Sequence, residues 1–332
     1  MFADHNLPVI FAGLMALSVI VYAILDGYDL GVGILLPLEN DKQADQMIAS
    51  IGPFWDANET WLVLAVGLLL IAFPSAHSAI LKSLYIPTAI MLIGLILRGV
   101  AFDFRAKVAQ VNKHRWNQVF KLGSFVASLS QGYMLGSFVM GFETTLAAYL
   151  FSALSALGVT CAYALIGSTW LILKTTDDLQ LRAIKWAKLA GIISFVGIIA
   201  VCIVNPLINA FVFERWTRAP FAYFVAIIPF ACFTLMYVGY LVLRKLPLKN
   251  DIGCWLPFLI TVIVYIFCFS GLAFSFYPYV VPGELTIWQA ASAPESLRFI
   301  LYGALIVIPC ILAYTVFSYR VFWGKVEELR YH

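Results

Sequence analysis

Along most of this chain apolar residues run on without the regular polar interruptions of a half-buried soluble helix, so the length of each run is the informative quantity. Seven stretches lack Asp, Glu, Lys and Arg and are long enough to cross a bilayer: Leu7–Leu25, Leu122–Phe142, Thr144–Leu173, Leu189–Phe213, Ala219–Leu243, Ile252–Pro282 and Phe299–Tyr319. Two more reach that length only by taking in charges. Ile51–Phe73 includes Asp56 and Glu59 near its start, and Ser83–Phe102 includes Arg98 near its end. The pattern predicts an all-α integral membrane protein with nine transmembrane helices, which puts the two termini on opposite sides.

Composition agrees. Of 332 residues 62% are hydrophobic and 12% charged, against about 25% charged in a soluble domain. That excludes a water-soluble globule, and nine spans of about 20 residues leave little chain for an extramembrane domain. The net charge is +3, and no Lys/Arg-rich tract interleaved with aromatics points to nucleic acid as a partner. Cys161, Cys202, Cys232, Cys254, Cys268 and Cys310 are scattered singly, without a C-x-x-C pair, and read as packing residues. The segment before Leu7 carries Asp4 and no Lys or Arg, and the first basic residue is Lys42. The first hydrophobic segment is therefore expected to be a retained span rather than a cleaved signal.

Basic residues set the orientation, because Lys and Arg in short loops stay in the cytoplasm. With nine spans, one side holds four of them: Lys82, Arg215, Arg218 and Arg298. The other side holds sixteen: Lys42, then the groups Arg105–Lys121, Lys174–Lys188, Arg244–Lys249 and Arg320–Arg330. The expected topology is N-terminus outside and C-terminus cytoplasmic. Trp116, Trp170, Trp186, Trp216, Trp255 and Trp323 fall near span ends, as in an interfacial belt. There is no low-complexity linker or short-period repeat. The turn-rich connection from Tyr277 to Arg298 is expected to pack over the outer surface.

The charges inside spans carry the chemistry, since each costs about 2.5–3.5 kcal/mol on insertion scales and those that persist usually face protein or water. The first span ends in Asp26-Gly27-Tyr28-Asp29, the second begins with Trp55-Asp56-Ala57-Asn58-Glu59, and the third ends with Arg98 and then Asp103 and Arg105. All three sites fall near the cytoplasmic face. If helical, Asp26 and Asp29 share a face, as do Asp56 and Glu59, and Gly27 and Gly31 form a ridge that admits a neighbouring helix. Four carboxylates in a confined space cannot all ionise cheaply. Arg98 is expected to neutralise one of them, and Asp103 and Arg105 to form an interfacial pair. This cluster either exchanges protons with the cytoplasm or only fixes the packing of the first three spans. His5, His77, His114 and His332 lie at span ends, in loops or at a terminus, so the chain is poorly equipped to hold a haem alone.

Taken in order, DGYDLGVGILLP at Asp26–Pro37, IGPFWDANETWLV at Ile51–Val63 and RGVAFDFRAK at Arg98–Lys107 resemble subunit II of the cytochrome bd-type quinol oxidases, including the cyanide-insensitive branch. FYPYVVPGELTIWQAASAPESL at Phe276–Leu297 resembles the last external loop of that family. The resemblance runs from near the N-terminus to about Gly324, and the chain is short for the family. It implies two four-helix bundles plus a peripheral helix: residues 1–142 as the first bundle, 143–185 as the peripheral fifth span and its connection, and 186–332 as the second bundle and tail. It implies an assembly in the bacterial inner membrane that oxidises quinol and reduces dioxygen to water. Haem b, haem d and quinol oxidation would belong to the partner, subunit I. A small single-span accessory subunit, membrane lipid and a structural quinone in this chain are further implied associates. Asp56 matches an acidic residue implicated in cytoplasmic proton uptake, Asp26 and Asp29 match acidic positions close to it, and Trp61 matches a position associated with oxygen access. Two other readings stay open: a proton-coupled secondary transporter, and a scaffold subunit with no kinetic role.

Overall fold

The computed structural model describes residues 4–107, 110–218 and 221–326; Ala219, Arg330 and His332, named above, lie outside the described residues. The chain runs through α1 (Leu7–Leu35), a short α2 (Asp41–Ile51), α3 (Trp55–Ala72), α4 (Pro74–Lys107), α5 (Gln110–Val139), α6 (Leu146–Lys174) and α7 (Asp177–Ile208). It continues through a short α8 (Ala210–Thr217), α9 (Phe221–Lys245) and α10 (Leu256–Phe276). The two-stranded antiparallel ribbon β1 (Tyr279–Val281) and β2 (Leu285–Thr286) follows, then α11 (Ile287–Ala290) and α12 (Pro294–Val321).

Helix starts follow local chemistry. Asn40 accepts the Gln43 amide at α2 (3.1 Å), Thr145 accepts that of Ala148 at α6 (3.2 Å), and Thr286 and Gln289 form a capping box on α11. Pro74 opens α4 directly after α3, so the two helices are separated only by Phe73.

Among the described residues nine helices have 18 or more residues, and eight of them are long and apolar enough to cross a membrane. The exception is α5. Its faces toward α4, α1 and α6 carry Gly123, Ser124, Ser128, Gly132 and Gly136, and these small residues let neighbouring backbones approach closely while lowering its hydropathy. Helices α1, α3, α4 and α5 pack together, as do α6, α7, α9 and α10, and α6 joins the two groups by lying against α1 and α5. The fifth span, expected at the periphery, is therefore in the centre: half of the residues in the most apolar part of α6 are buried, against 11% in that of α12. The physical reason is side-chain size. Ser152, Ala156 and Gly167 let α6 sit against two neighbours, whereas α12 turns Phe299, Ile306, Val316 and Phe317 outward. The connection after α10 packs as expected over helix ends, with Val280, Val281 and Ile287 in one apolar cluster with Leu7, Phe11, Phe73 and Ala76.

The expected small-residue ridge is realised where α1 crosses α6. A β-carbon at Gly31 would stand 1.9 Å from the Tyr163 carbonyl oxygen, and one at Gly167 would stand 2.5 Å from the Gly31 carbonyl carbon. Because these neighbours are backbone, they cannot rotate away. Gly31→Ala should therefore cost at least the ~1–3 kcal/mol of core overpacking, read as a lower thermal midpoint and lower yield of the purified protein. Gly158→Ala on the same α6, where nothing lies within 4 Å, should be neutral or slightly stabilising.

A buried arginine and carboxylate cluster as the candidate functional site

Three helices deliver charged side chains to one place. Asp26 and Asp29, one turn apart on α1, are fully buried, and Arg98 of α4 is 1% exposed. Arg98 Nη1 donates to Asp26 Oδ1 at 2.5 Å and Nη2 donates to Glu59 Oε2 of α3 at 3.0 Å. Its two amino groups thereby hold α1 and α3 to α4. Charge-assisted bonds of this length are the strong class, and they act here in a surrounding of low polarisability. Glu59 is the exposed member of the triad, its side chain 29% accessible.

A second set of bonds surrounds Asp29. Asn58, nearly fully buried, donates from Nδ2 to Asp29 Oδ2 at 2.9 Å and to the Tyr28 hydroxyl at 2.8 Å. Tyr28 and Tyr319 join through their hydroxyls at 2.5 Å, and Tyr319 donates to Asn58 Oδ1 at 3.4 Å. Aromatic rings exclude water from this side: Tyr28 stacks on Trp170 with centroids 4.2 Å apart, and Phe54 stacks on Tyr319 at 4.5 Å. Beyond Asp26, the Gln131 amide donates to the Tyr22 hydroxyl and accepts from the Tyr163 hydroxyl, each at 2.7 Å. Asp26 Oδ2, Asp29 Oδ1 and Arg98 Nε have no hydrogen-bond partner among the described residues.

The expected candidates thus separate. Asp26, Asp29, Glu59 and Arg98 come together. Asp56 sits one turn before Glu59, exposed on the outer face of α3. Trp61 is 1% exposed with its indole nitrogen unpartnered. The expected Asp103–Arg105 pair does not form. Two residues apart on a helix point in different directions, and Arg105 turns inward to Asp45 of α2 (2.5 Å) and Asn117 of α5 (2.6 Å) while Asp103 is exposed. Asn58, Tyr28, Tyr319, Tyr22 and Gln131 were not singled out from sequence. Asn58 had a usable signal, an amide inside an apolar span, but nothing in the sequence brings Tyr319 across 261 positions to Asn58.

The described histidines lie near helix starts. His5 is exposed and stacked on Trp288 at 5.2 Å, His114 is exposed beside Gln118, and His77 is half-buried near the start of α4. Among the described residues no group of three or more His, Cys, Asp or Glu is placed to hold a metal ion.

Residues 7–322 match the family described as cytochrome bd terminal oxidase subunit II. The chain belongs to that family. It is 30% identical to cytochrome bd ubiquinol oxidase subunit 2 of Bacillus subtilis (strain 168), over 95% of each chain. Cytochrome bd-I ubiquinol oxidase subunit 2 of Escherichia coli (strain K12) is 25% identical, over 95% of this chain and 94% of that one. In fold it is similar to the structure of bd oxidase from Geobacillus thermodenitrificans, with a TM-score of 0.78, 17% identity, and 96% and 98% of the two chains covered. This subunit II is accordingly a multi-pass membrane component of a quinol:oxygen oxidoreductase complex, in which the haems and a subunit I partner are implied by the family.

Removing Arg98 strands Asp26 in the interior. Breaking a buried pair from one side costs about 3–5 kcal/mol, whereas replacing both partners by apolar groups can be neutral. Arg98→Leu should sharply reduce the amount of folded complex, and Arg98→Leu combined with Asp26→Leu should recover much of it, as scored by solubilised yield and thermal midpoint. Glu59→Gln, at the exposed end, should change stability by no more than about 1 kcal/mol.

Proposed function

We propose that this chain is the haem-free subunit of a bd-type terminal oxidase in the bacterial inner membrane and that it delivers cytoplasmic protons toward haems b and d of subunit I. All nine long helices cross the bilayer in this reading, α5 included. The N-terminus lies outside and the end of α1 that bears Asp26 and Asp29 faces the cytoplasm.

The observation that carries the proposal is the contrast between Asp56 and its neighbours. Asp26 and Asp29 are sealed, but Asp56 is exposed on the outer face of α3, inside a helix apolar enough to span. Asp56 lies in the first turn of α3, and a carboxylate facing lipid there still gives up part of its hydration. That cost vanishes when water or another polypeptide covers the face. Subunit I is the covering chain in this proposal, so Asp56 stands at the contact between the subunits, one turn from Glu59 and next to a fixed field of charge. Reduction of one dioxygen to water consumes four protons, and a positioned carboxylate is a suitable carrier. Trp61, farther along α3 and 1% exposed, serves as the candidate for oxygen access.

The sealed Arg98–Asp26 pair favours a structural role for those two residues, so the kinetic burden falls on Asp56. Asp56→Asn should slow quinol-driven oxygen consumption by about tenfold or more while the reduced-minus-oxidised haem spectrum of the purified complex stays unchanged. A variant that consumes oxygen at the normal rate, or one that loses the haem spectrum, would instead favour a scaffold role.

A further inference from the structure

Three carboxylates share one guanidinium. Asp26, Asp29 and Glu59 lie around Arg98, and Arg98 bonds to Asp26 and Glu59 but not to Asp29. If all three were ionised, a buried site would hold two uncompensated negative charges. Asp26 has the guanidinium at 2.5 Å, and Glu59 reaches solvent or a covering chain through its exposed edge. Asp29 has neither. It is fully buried, its Oδ2 takes only the neutral Asn58 amide, and its Oδ1 has no partner among the described residues.

The other polar groups around it do not supply a cation. On α1 these are Asp26, Tyr22 and Tyr28; on α3, Glu59 and Asn58, with Asp56 farther out; on α12, Tyr319. From α5 and α6 come Gln131 and Tyr163, which bond each other. Lys174 of α6 lies at the aromatic shell, 5.1 Å from the Trp170 ring centroid, but its amine is taken by the carbonyls of Phe322 and Gly324. Burying a neutral acid with one oxygen unbonded costs a few kcal/mol, and burying an unpaired carboxylate costs far more.

We infer that Asp29 is held as the neutral carboxylic acid and carries the exchangeable proton of the cluster, while Asp26 is fixed as the anion of the Arg98 pair. The two aspartates, one turn apart, thus have opposite protonation states because one guanidinium reaches only the first. Loss of the Asp29 proton leaves a carboxylate held by the Asn58 N–H, and uptake of one proton restores the acid. The use of that proton in turnover rests on the proposed uptake role; the resting protonation state does not.

The test is infrared spectroscopy of the resting purified complex, with wild type compared against Asp29→Asn and Asp26→Asn. Asp29→Asn should remove a carboxylic-acid carbonyl band that shifts in heavy water. Since an amide replaces a neutral acid closely in shape, that variant should assemble to within about twofold of wild type. Asp26→Asn should leave the acid band in any complex that forms, but reduce assembly severalfold. Loss of a carboxylate band instead of an acid band in Asp29→Asn, or failure of Asp29→Asn to assemble, overturns the assignment. Wild-type complex labelled with carbon-13 in the aspartate side-chain carboxyl gives a reading that needs no variant: an isotope-shifted acid carbonyl is expected, and its absence overturns the assignment. These spectra are of the resting enzyme, so they stand apart from the turnover rate of Asp56→Asn.

Discussion

A single buried guanidinium organises the first half of this molecule. Arg98 comes from α4, but its hydrogen bonds end on α1 and α3, so no two of these helices can slide or rotate without stranding a charge away from water. Apolar packing alone would not set that register, because lipid tails solvate leucine as well as a neighbouring helix does. The contact is reinforced by close backbone approach: α6 is seated on α1 at Gly31 and Gly167, and with α1 located, the aromatic shell of Tyr28, Phe54, Trp170 and Tyr319 closes over Asp29.

That arrangement separates two jobs that the sequence places side by side. Asp26 and Arg98, which fix helix positions, are sealed, Glu59 is partly accessible, and Asp56 is exposed. Asp56 and Glu59 are one turn apart, yet Glu59 leans on Arg98 while Asp56 is exposed. In the proposed function this subunit acts on its partner by offering the Asp56 carboxylate on its face while the Arg98 cluster keeps the local field constant behind it.

Much of this was legible in the sequence, and the limits have physical causes. Membrane class, the positions of the long helices and the meeting of Asp26, Glu59 and Arg98 followed from run lengths and from the expense of charge at depth. The Gly27 and Gly31 spacing foretold the close helix contact. What failed was whatever depended on which helix faces which. The pairing of Asp103 with Arg105 ignored that residues two apart diverge around a helix, and the inward partner Asp45 lies on a short helix between spans that run length does not reveal. The fifth span is apolar enough to cross a membrane, as α12 is, so its central place follows from small residues on its seams, and α12, the more apolar of the two, is left outside. Tyr319 reaches Asn58 only because α12 returns to α1, a tertiary fact with no local signature.

The central claim is that this subunit passes protons toward its partner through Asp56. The most direct measurement is time-resolved proton uptake, followed with a pH-indicating dye, as the fully reduced complex reacts with dioxygen. In Asp56→Asn the uptake phase should slow together with the haem oxidation step that depends on it. Uptake that keeps its wild-type rate in that variant would contradict the account.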